Sequence, residues 1–244
     1  MPEGDTILRT ARTLHAALAG KIVTHFQTML PKLERIPLEG RRIERVFAVG
    51  KHLIIEFDGG VRLHTHMRMN GSWHLYRPGE RWRRPRVDMR LLIETGDFVA
   101  VGFNVPVAEF GSAPEVGPDL LSPDFDAAEA LRRLKEHGEE EIANVLLNQR
   151  VMAGIGNIWK SEALFRSGVD PFARVRELDD ATLARIVANA RKLLRASANG
   201  RVARMVYSRG GQACRRCGAR IKSRAQGEGA RLTYWCPRCQ RNAE

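Results

Sequence analysis

CRRCGARIKSRAQGEGARLTYWCPRC, residues 214–239, holds all four cysteines of the chain: Cys214, Cys217, Cys236 and Cys239. Their spacing, C-x2-C-x18-C-x2-C, lies within the range of a four-thiolate zinc ribbon. Each pair sits on a tight turn that aims two sulfurs at one tetrahedral ion, and the intervening residues suit a hairpin that returns the second pair to the first. Four thiolates leave no coordination position for a water, so the Zn2+ expected here is a single structural ion. Two disulfides are the competing pairing. A cytosolic setting and the absence of any other cysteine argue against them.

The ribbon lies in a basic tail. The 244-residue chain carries 40 Lys+Arg against 28 Asp+Glu, a net charge of +12, and residues 201–244 account for +9 of it. A field of that sign draws polyanions, nucleic acid before an anionic membrane surface. Hydrophobic content of 43% and charged content of 28% are ordinary for a folded protein and exclude wholesale disorder. No apolar run approaches the ~20 residues of a membrane-spanning helix. Met1-Pro2-Glu3-Gly4-Asp5 has two acids and no basic segment, so no secretory signal and a cytoplasmic location are expected.

Upstream of the tail the pattern changes twice. Ile7, Leu8, Ala11, Leu14 and Leu18 keep helical spacing over 5–18, with Asp5 as a cap and Gly20 as a stop. From 21 to about 110 the signal is of strands. Residues 53–57 and 61–64 flank Asp58-Gly59-Gly60, and 89–95 and 98–103 flank Gly96-Asp97, so each reads as a hairpin. GSAPEVGPDLLSP, residues 111–123, reads as a linker. Helices are expected over 126–137, 140–148, 157–166 and 180–198, the last with Leu183, Ile186, Val187, Ala190 and Leu194 on one face. The expected class is α+β and multidomain, a β-sandwich half followed by a helical half and the ribbon.

Three local motifs sharpen this layout: Pro2-Glu3-Gly4, then Asn148-Gln149 with Gly154-Ile155-Gly156-Asn157-Ile158, and Cys236-Pro237-Arg238-Cys239-Gln240. In that order, and over essentially the whole chain, they resemble the formamidopyrimidine-DNA glycosylase / endonuclease VIII family. The resemblance implies a catalytic β-sandwich at 1–112, a linker at 113–123, a helix–two-turns–helix DNA-binding domain at 124–205 and a zinc-ribbon finger at 206–244. It implies a bifunctional enzyme of base-excision repair, which removes an oxidised base and then cuts the strand at the abasic sugar by β,δ-elimination. Damaged DNA, duplex or single-stranded, is the implied partner of a monomer associated with the nucleoid.

The same resemblance assigns roles. Pro2, exposed by removal of Met1, would be the nucleophile; an α-amino group titrates near ~8, so a useful neutral fraction exists at neutral pH. Its adduct with the sugar C1′ is an iminium, an electron sink that acidifies the C2′ proton. Glu3 would protonate the deoxyribose ring oxygen or shuttle protons. Lys51, in the turn Gly50-Lys51-His52, would contact phosphate and act as an acid. Asn157 at a helix start and Arg231 on a ribbon strand would grip phosphates flanking the extruded nucleotide. Met69 and Phe110 would fill the gap it leaves. On sequence alone Met69 fits a core position equally well, and His64 and His66, two apart on one strand face, read as structural.

The chain departs from the formamidopyrimidine branch in three places. Pro106-Val107-Ala108-Glu109-Phe110-Gly111 lacks that branch's arginine, Thr6 stands where a second glutamate is common, and the stretch 195–206 is short. These features favour oxidised pyrimidines. The competing class is a non-catalytic zinc-ribbon protein that binds nucleic acid by charge, which does not account for the Pro-Glu start, the turn lysine and the Gly-Ile-Gly-Asn segment together.

Overall fold

Ile7, Ala11, Leu14 and Leu18 fall on one face of helix α1, Gly4–Leu18, and that face is buried. The helix begins one residue earlier than its apolar pattern. Glu3, not Asp5, is the N-cap, and Asp5 is buried in the first turn, where a negative charge suits the helix dipole. The structure, a computed structural model, describes residues 2–112 and 114–241. These divide into two units, Met1–Pro114 and Glu115–Glu244.

The first unit adds eight strands to α1: β1 (His25–Thr28), β2 (Ile43–Val49), β3 (His52–Phe57), β4 (Arg62–His66), β5 (Ser72–Tyr76), β6 (Met89–Glu94), β7 (Val99–Phe103) and β8 (Val107–Phe110). They form two antiparallel four-stranded sheets, ordered β1-β6-β7-β5 and β2-β3-β4-β8. Both expected hairpins are present, as β3–β4 and β6–β7. Leu53, Ile55 and Phe57 of one sheet share a buried cluster with Leu91, Ile93 and Ala100 of the other and with Ile7, Leu14 and Leu18 of α1. Side chains alternate along a strand, so His52, Ile54 and Glu56 occupy the opposite face of β3. There Glu56 lies between Arg45 and Arg62, whose hydrogen bonds hold its carboxyl below the usual range.

The second unit contains α2 (Ala127–Lys135), α3 (Ile142–Val145), α4 (Asn157–Ser167), α5 (Asp180–Asn199) and the hairpin β9 (Lys222–Gln226) and β10 (Arg231–Trp235). Asp126 and Asp179 cap α2 and α5 by accepting from Glu129 N and Thr182 N at 2.9 and 2.7 Å. The predicted apolar face of α5 is buried. The helix expected over 140–148 shrinks to the single turn of α3. Glu141 is extended and bridges to Arg174, and the Asn148 side chain accepts from Arg150 N at 3.0 Å, drawing the backbone into a turn.

From Glu115 onward the proline-rich stretch read as a linker lies against this unit. Leu120 is fully buried in the helical core, and Gly117 N donates to Gln149 O at 2.9 Å. A side chain at Gly117 would stand 2.4 Å from Arg150 O, so only glycine allows that approach. The ribbon is tied to α4 by a buried carboxylate: Glu162 accepts the N–H groups of Met205, Val206 and Tyr207 at 2.8–2.9 Å. Among the described residues no helix is long and apolar enough to cross a membrane.

Candidate active site and metal centre

Two contacts along β2 show which end of the sandwich carries the N-terminus. Gly20 N donates to Ile43 O at 2.7 Å, and Val46 N donates to His15 Nδ1 at 3.1 Å. Moving up β2 therefore moves back toward the start of α1. At rises of ~3.3 Å per strand residue and ~1.5 Å per helix residue, the Gly50-Lys51 turn falls level with the first turn of α1. Pro2, half-buried, and Glu3, 1% exposed, sit there, with Glu3 O accepting Thr6 N and Ile7 N at 2.9 and 3.0 Å. Met1 lies outside the described residues.

Lys51 stands at the tip of the β2–β3 hairpin. Gly50 takes φ 57°, a left-handed turn position that glycine adopts without strain. The register His52↔His66 brings the loop 67–71 to the same rim. In that loop the two methionines separate: Met67 is 2% exposed in the core and Met69 is 62% exposed. Gly71 closes the loop so tightly that a Cβ would stand 2.6 Å from Met67 O. Pro2, Glu3, Lys51 and Met69 thus share one end of the sandwich.

Phe110 is not brought to that rim. β8 enters beside it, with Val107 opposite His66, and runs away from it, so that Phe110 pairs with Leu63. Three strand positions set it back by about 10 Å. Its ring packs against the sandwich core instead.

Sequence reading also missed a row of histidines on the outer face of β3 and β4. His52 Nδ1 lies 2.6 Å from His64 Nε2, and His64 Nδ1 lies 3.2 Å from Glu109 Oε1. His64 and His66 do share a face, as expected, but His52 joins them through the strand register. Burial, followed by neighbouring positive charge from Lys51, Arg68 and the other rings, lowers His52 to about 3 and His66 to about 4. Both are neutral at neutral pH.

In the second unit the four cysteine sulfurs lie within 4.8 Å of one another. Cys214 Sγ and Cys239 Sγ are 3.9 Å apart, and Cys217 Sγ and Cys236 Sγ 3.4 Å. A tetrahedral zinc with bonds of ~2.3 Å needs sulfur separations of ~3.8 Å, so the cluster fits the ion. Gly218 N donates to Cys214 O and Gln240 N to Cys236 O, at 2.9 and 3.0 Å, which forms the two knuckles. Gln240 then links knuckle to scaffold: its Oε1 accepts Cys236 N and its Nε2 donates to Val169 O, both at 2.9 Å. The thiols differ. A backbone N–H from Ala219 lowers Cys217 to about 7, whereas burial pushes Cys239 up to about 12 and Cys236 upward as well. A bound zinc would stabilise all four as thiolates and fix the ribbon's fold.

Asn157 opens α4 after the Gly156 cap and is 7% exposed. Its Nδ2, expected at a phosphate, donates to Leu232 O at 2.9 Å. That bond fixes β10 one residue from Arg231, which is exposed and pairs with Gln226 in the hairpin. A buried polar chain runs behind it. Lys160 Nζ donates to Thr233 Oγ1 at 2.8 Å, Thr233 Oγ1 to Gln226 Oε1 at 2.6 Å, and Gln226 Nε2 to Glu141 Oε2 at 2.7 Å. Neither Lys160 nor Glu162 was singled out by sequence. Their only signal was a charge inside the otherwise apolar face of a predicted helix.

A sandwich with its N-terminus at a basic turn, and a helical unit bearing a four-cysteine ribbon, define a class of zinc-finger DNA-processing enzymes. Family models agree over nearly the whole chain. The formamidopyrimidine-DNA glycosylase N-terminal domain matches residues 1–102, the formamidopyrimidine-DNA glycosylase H2TH domain 116–205, and the zinc finger found in FPG and IleRS 211–242. The chain is 40% identical to a probable endonuclease 8 2 of Streptomyces coelicolor, over 98% of this chain and 94% of the relative. It is 37% identical to the DNA-(apurinic or apyrimidinic site) lyase Nei2 of Mycolicibacterium smegmatis, over 98% and 99%. Lactococcus lactis formamidopyrimidine-DNA glycosylase, solved non-covalently bound to DNA containing an abasic site, shares the fold with a TM-score of 0.86 at 23% identity, over 98% of this chain and all of that one. The chain belongs to the formamidopyrimidine-DNA glycosylase / endonuclease VIII family, the glycosylases and abasic-site lyases of base-excision repair that carry a structural zinc finger.

Proposed function

We propose that this chain excises oxidised bases, pyrimidines in preference, from DNA and then cleaves the strand through an iminium on Pro2. The supporting observation is the shared rim: the Pro2–Glu3 start of α1, the Lys51 turn and the exposed Met69 lie at one end of the sandwich. With Met1 removed, the Pro2 nitrogen attacks C1′ and the base departs. The nitrogen then carries a positive charge at every pH, because a secondary amine gives an iminium with no N–H to lose. That charge draws electrons from the C2′–H bond, and the 3′ phosphate leaves; a second elimination releases the 5′ phosphate.

Glu3, buried beside the nucleophile, donates the proton that opens the sugar ring, and Lys51 meets the flanking phosphate. Met69 enters the stack where the nucleotide has left. Arg231 grips backbone phosphate from the ribbon, and Asn157 serves it by holding the Leu232 carbonyl. Phe110, partly buried against the core, would line the gap from further back if it takes part in filling it. We also propose the division into 1–112, 113–123, 124–205 and 206–244, and a monomer that acts in the cytoplasm, at the nucleoid, on duplex or single-stranded DNA.

A panel of duplexes tests the substrate class. Single-turnover excision of oxidised pyrimidines should exceed that of 8-oxoguanine by roughly tenfold or more, within the range hydrogen-bond and shape selection can supply. The reverse order would contradict the pyrimidine preference. Binding without any excision or cleavage, by protein shown to begin at Pro2, would instead favour the non-catalytic module.

A further inference from the structure

β3, β4 and β8 line up three polar side chains on the outer face of their sheet. His64 pairs in register with Glu109 on one side and Ile54 on the other, while His52 lies opposite His66. The hydrogen bonds fix a direction. A carboxylate oxygen accepts, so His64 carries its proton on Nδ1, 3.2 Å from Glu109 Oε1. His64 Nε2 is then an acceptor, which requires the proton of His52 to sit on Nδ1, 2.6 Å away. His52 Nε2 is left with its lone pair, as an acceptor.

The row therefore runs from the half-buried ring next to Lys51, through a ring 2% exposed, to a carboxylate side chain 60% exposed. It is not a metal site. Glu109 and His52 bond opposite edges of the His64 imidazole, so their donor atoms do not converge.

We propose that His52, His64 and Glu109 form a proton conduit that drains the elimination step at the Lys51 rim, a role that rests on the lyase reading above. A proton arriving on His52 Nε2 displaces the Nδ1 proton to His64 Nε2, and the His64 Nδ1 proton passes to the Glu109 carboxylate. Only N–H and O–H bonds change. The proton leaves Glu109 for water, and rotation of the two rings restores the starting tautomers. The charged and titratable neighbours of the row are Lys51 on its hairpin, His66 on β4 and Arg68 in the following loop. Burial, with their positive field, keeps His52 from storing the proton, which favours its passage outward.

Glu109→Gln separates this role from a structural one, because glutamine still accepts from His64 Nδ1 but cannot take up a proton. The side chain is exposed, so the variant keeps its fold. On a preformed abasic duplex, its borohydride-trapped adduct should match the wild type while single-turnover strand cleavage slows about tenfold, below the ~10²–10⁴ of a direct general base. Its pH–rate profile should flatten, and Glu109→Asp should restore most of the rate. Cleavage by Glu109→Gln at the wild-type rate across the pH range overturns the conduit, as does an equal loss of adduct and cleavage. Nitrogen-15 NMR of the histidine-labelled protein gives a second check: a proton on Nε2 of His64 overturns it too. Wild-type protein that forms no adduct would instead overturn the lyase reading itself.

Discussion

In the sandwich, Lys51 and Met69 stand on turns whose positions follow from strand register and from Gly50 and Gly71. In the helical unit, Arg231 and the cysteines depend on buried polar groups: Glu162 under the ribbon's entry, Lys160 and Gln226 behind its hairpin, Gln240 at a knuckle. The first unit holds its chemistry with an apolar core and leaves the rim open. The second has a small apolar core beneath its ribbon and replaces packing with directed hydrogen bonds and a metal. The groups proposed to react thus sit on a scaffold expected to tolerate surface change, whereas those proposed to grip phosphate sit on one expected to be sensitive to the loss of a single buried partner.

Zinc removal should separate the units most sharply. Structural zinc contributes an apparent ~10–16 kcal/mol in small finger peptides. Chelation, or Cys236→Ala, should therefore unfold the ribbon and weaken DNA binding while the sandwich keeps its own thermal transition. Circular dichroism and a binding titration read this, and undiminished affinity after chelation would erase the contrast. Glu162→Gln comes next. Charge-assisted hydrogen bonds contribute ~1.5–3 kcal/mol each, so losing the carboxylate should destabilise the second unit by about 3 kcal/mol in urea unfolding. A change confined to the sandwich would contradict the assignment.

The third effect belongs to the sandwich and follows from its neutral rings. His52 and His66 sit at about 3 and about 4 when folded, against ~6.5 in an unfolded chain. Between those values the unfolded state binds more protons. Their contribution is complete above the unfolded value and is lost as the pH falls from it toward 4 and then 3. Melting temperature should drop over that window, and less so in His52→Phe; an identical drop in the variant would show that the rings are not the cause. The smallest effect is on the grip. Arg231→Ala should reduce the slope of log affinity against log salt by about one phosphate contact, with little change in sequence preference.

What could be read in advance follows the same division. Cys214, Cys217, Cys236 and Cys239 declare their ion by spacing, because two tight turns and a returning hairpin are local geometry. The face of α5 and the two hairpins are equally local. The row His52–His64–Glu109 was not legible, since its members meet only through the register of three strands. Nor does the motif position of Phe110 show that the register of β8 sets it opposite Leu63, three positions from His66 along β4. Asn157 opens a helix as expected, but nothing local reveals that β10 brings Leu232 O to its amide. The turn at Asn148 and the docking of 115–123 likewise depend on tertiary contacts.

The most direct measurement is to trap the protein on an abasic duplex with borohydride, digest it, and locate the sugar by mass spectrometry. A single adduct should appear on a peptide that begins at Pro2, with the modification on the ring nitrogen and no initiating methionine. A sugar attached to Lys51 or another lysine, or active protein that still retains Met1, would contradict the proline chemistry outright.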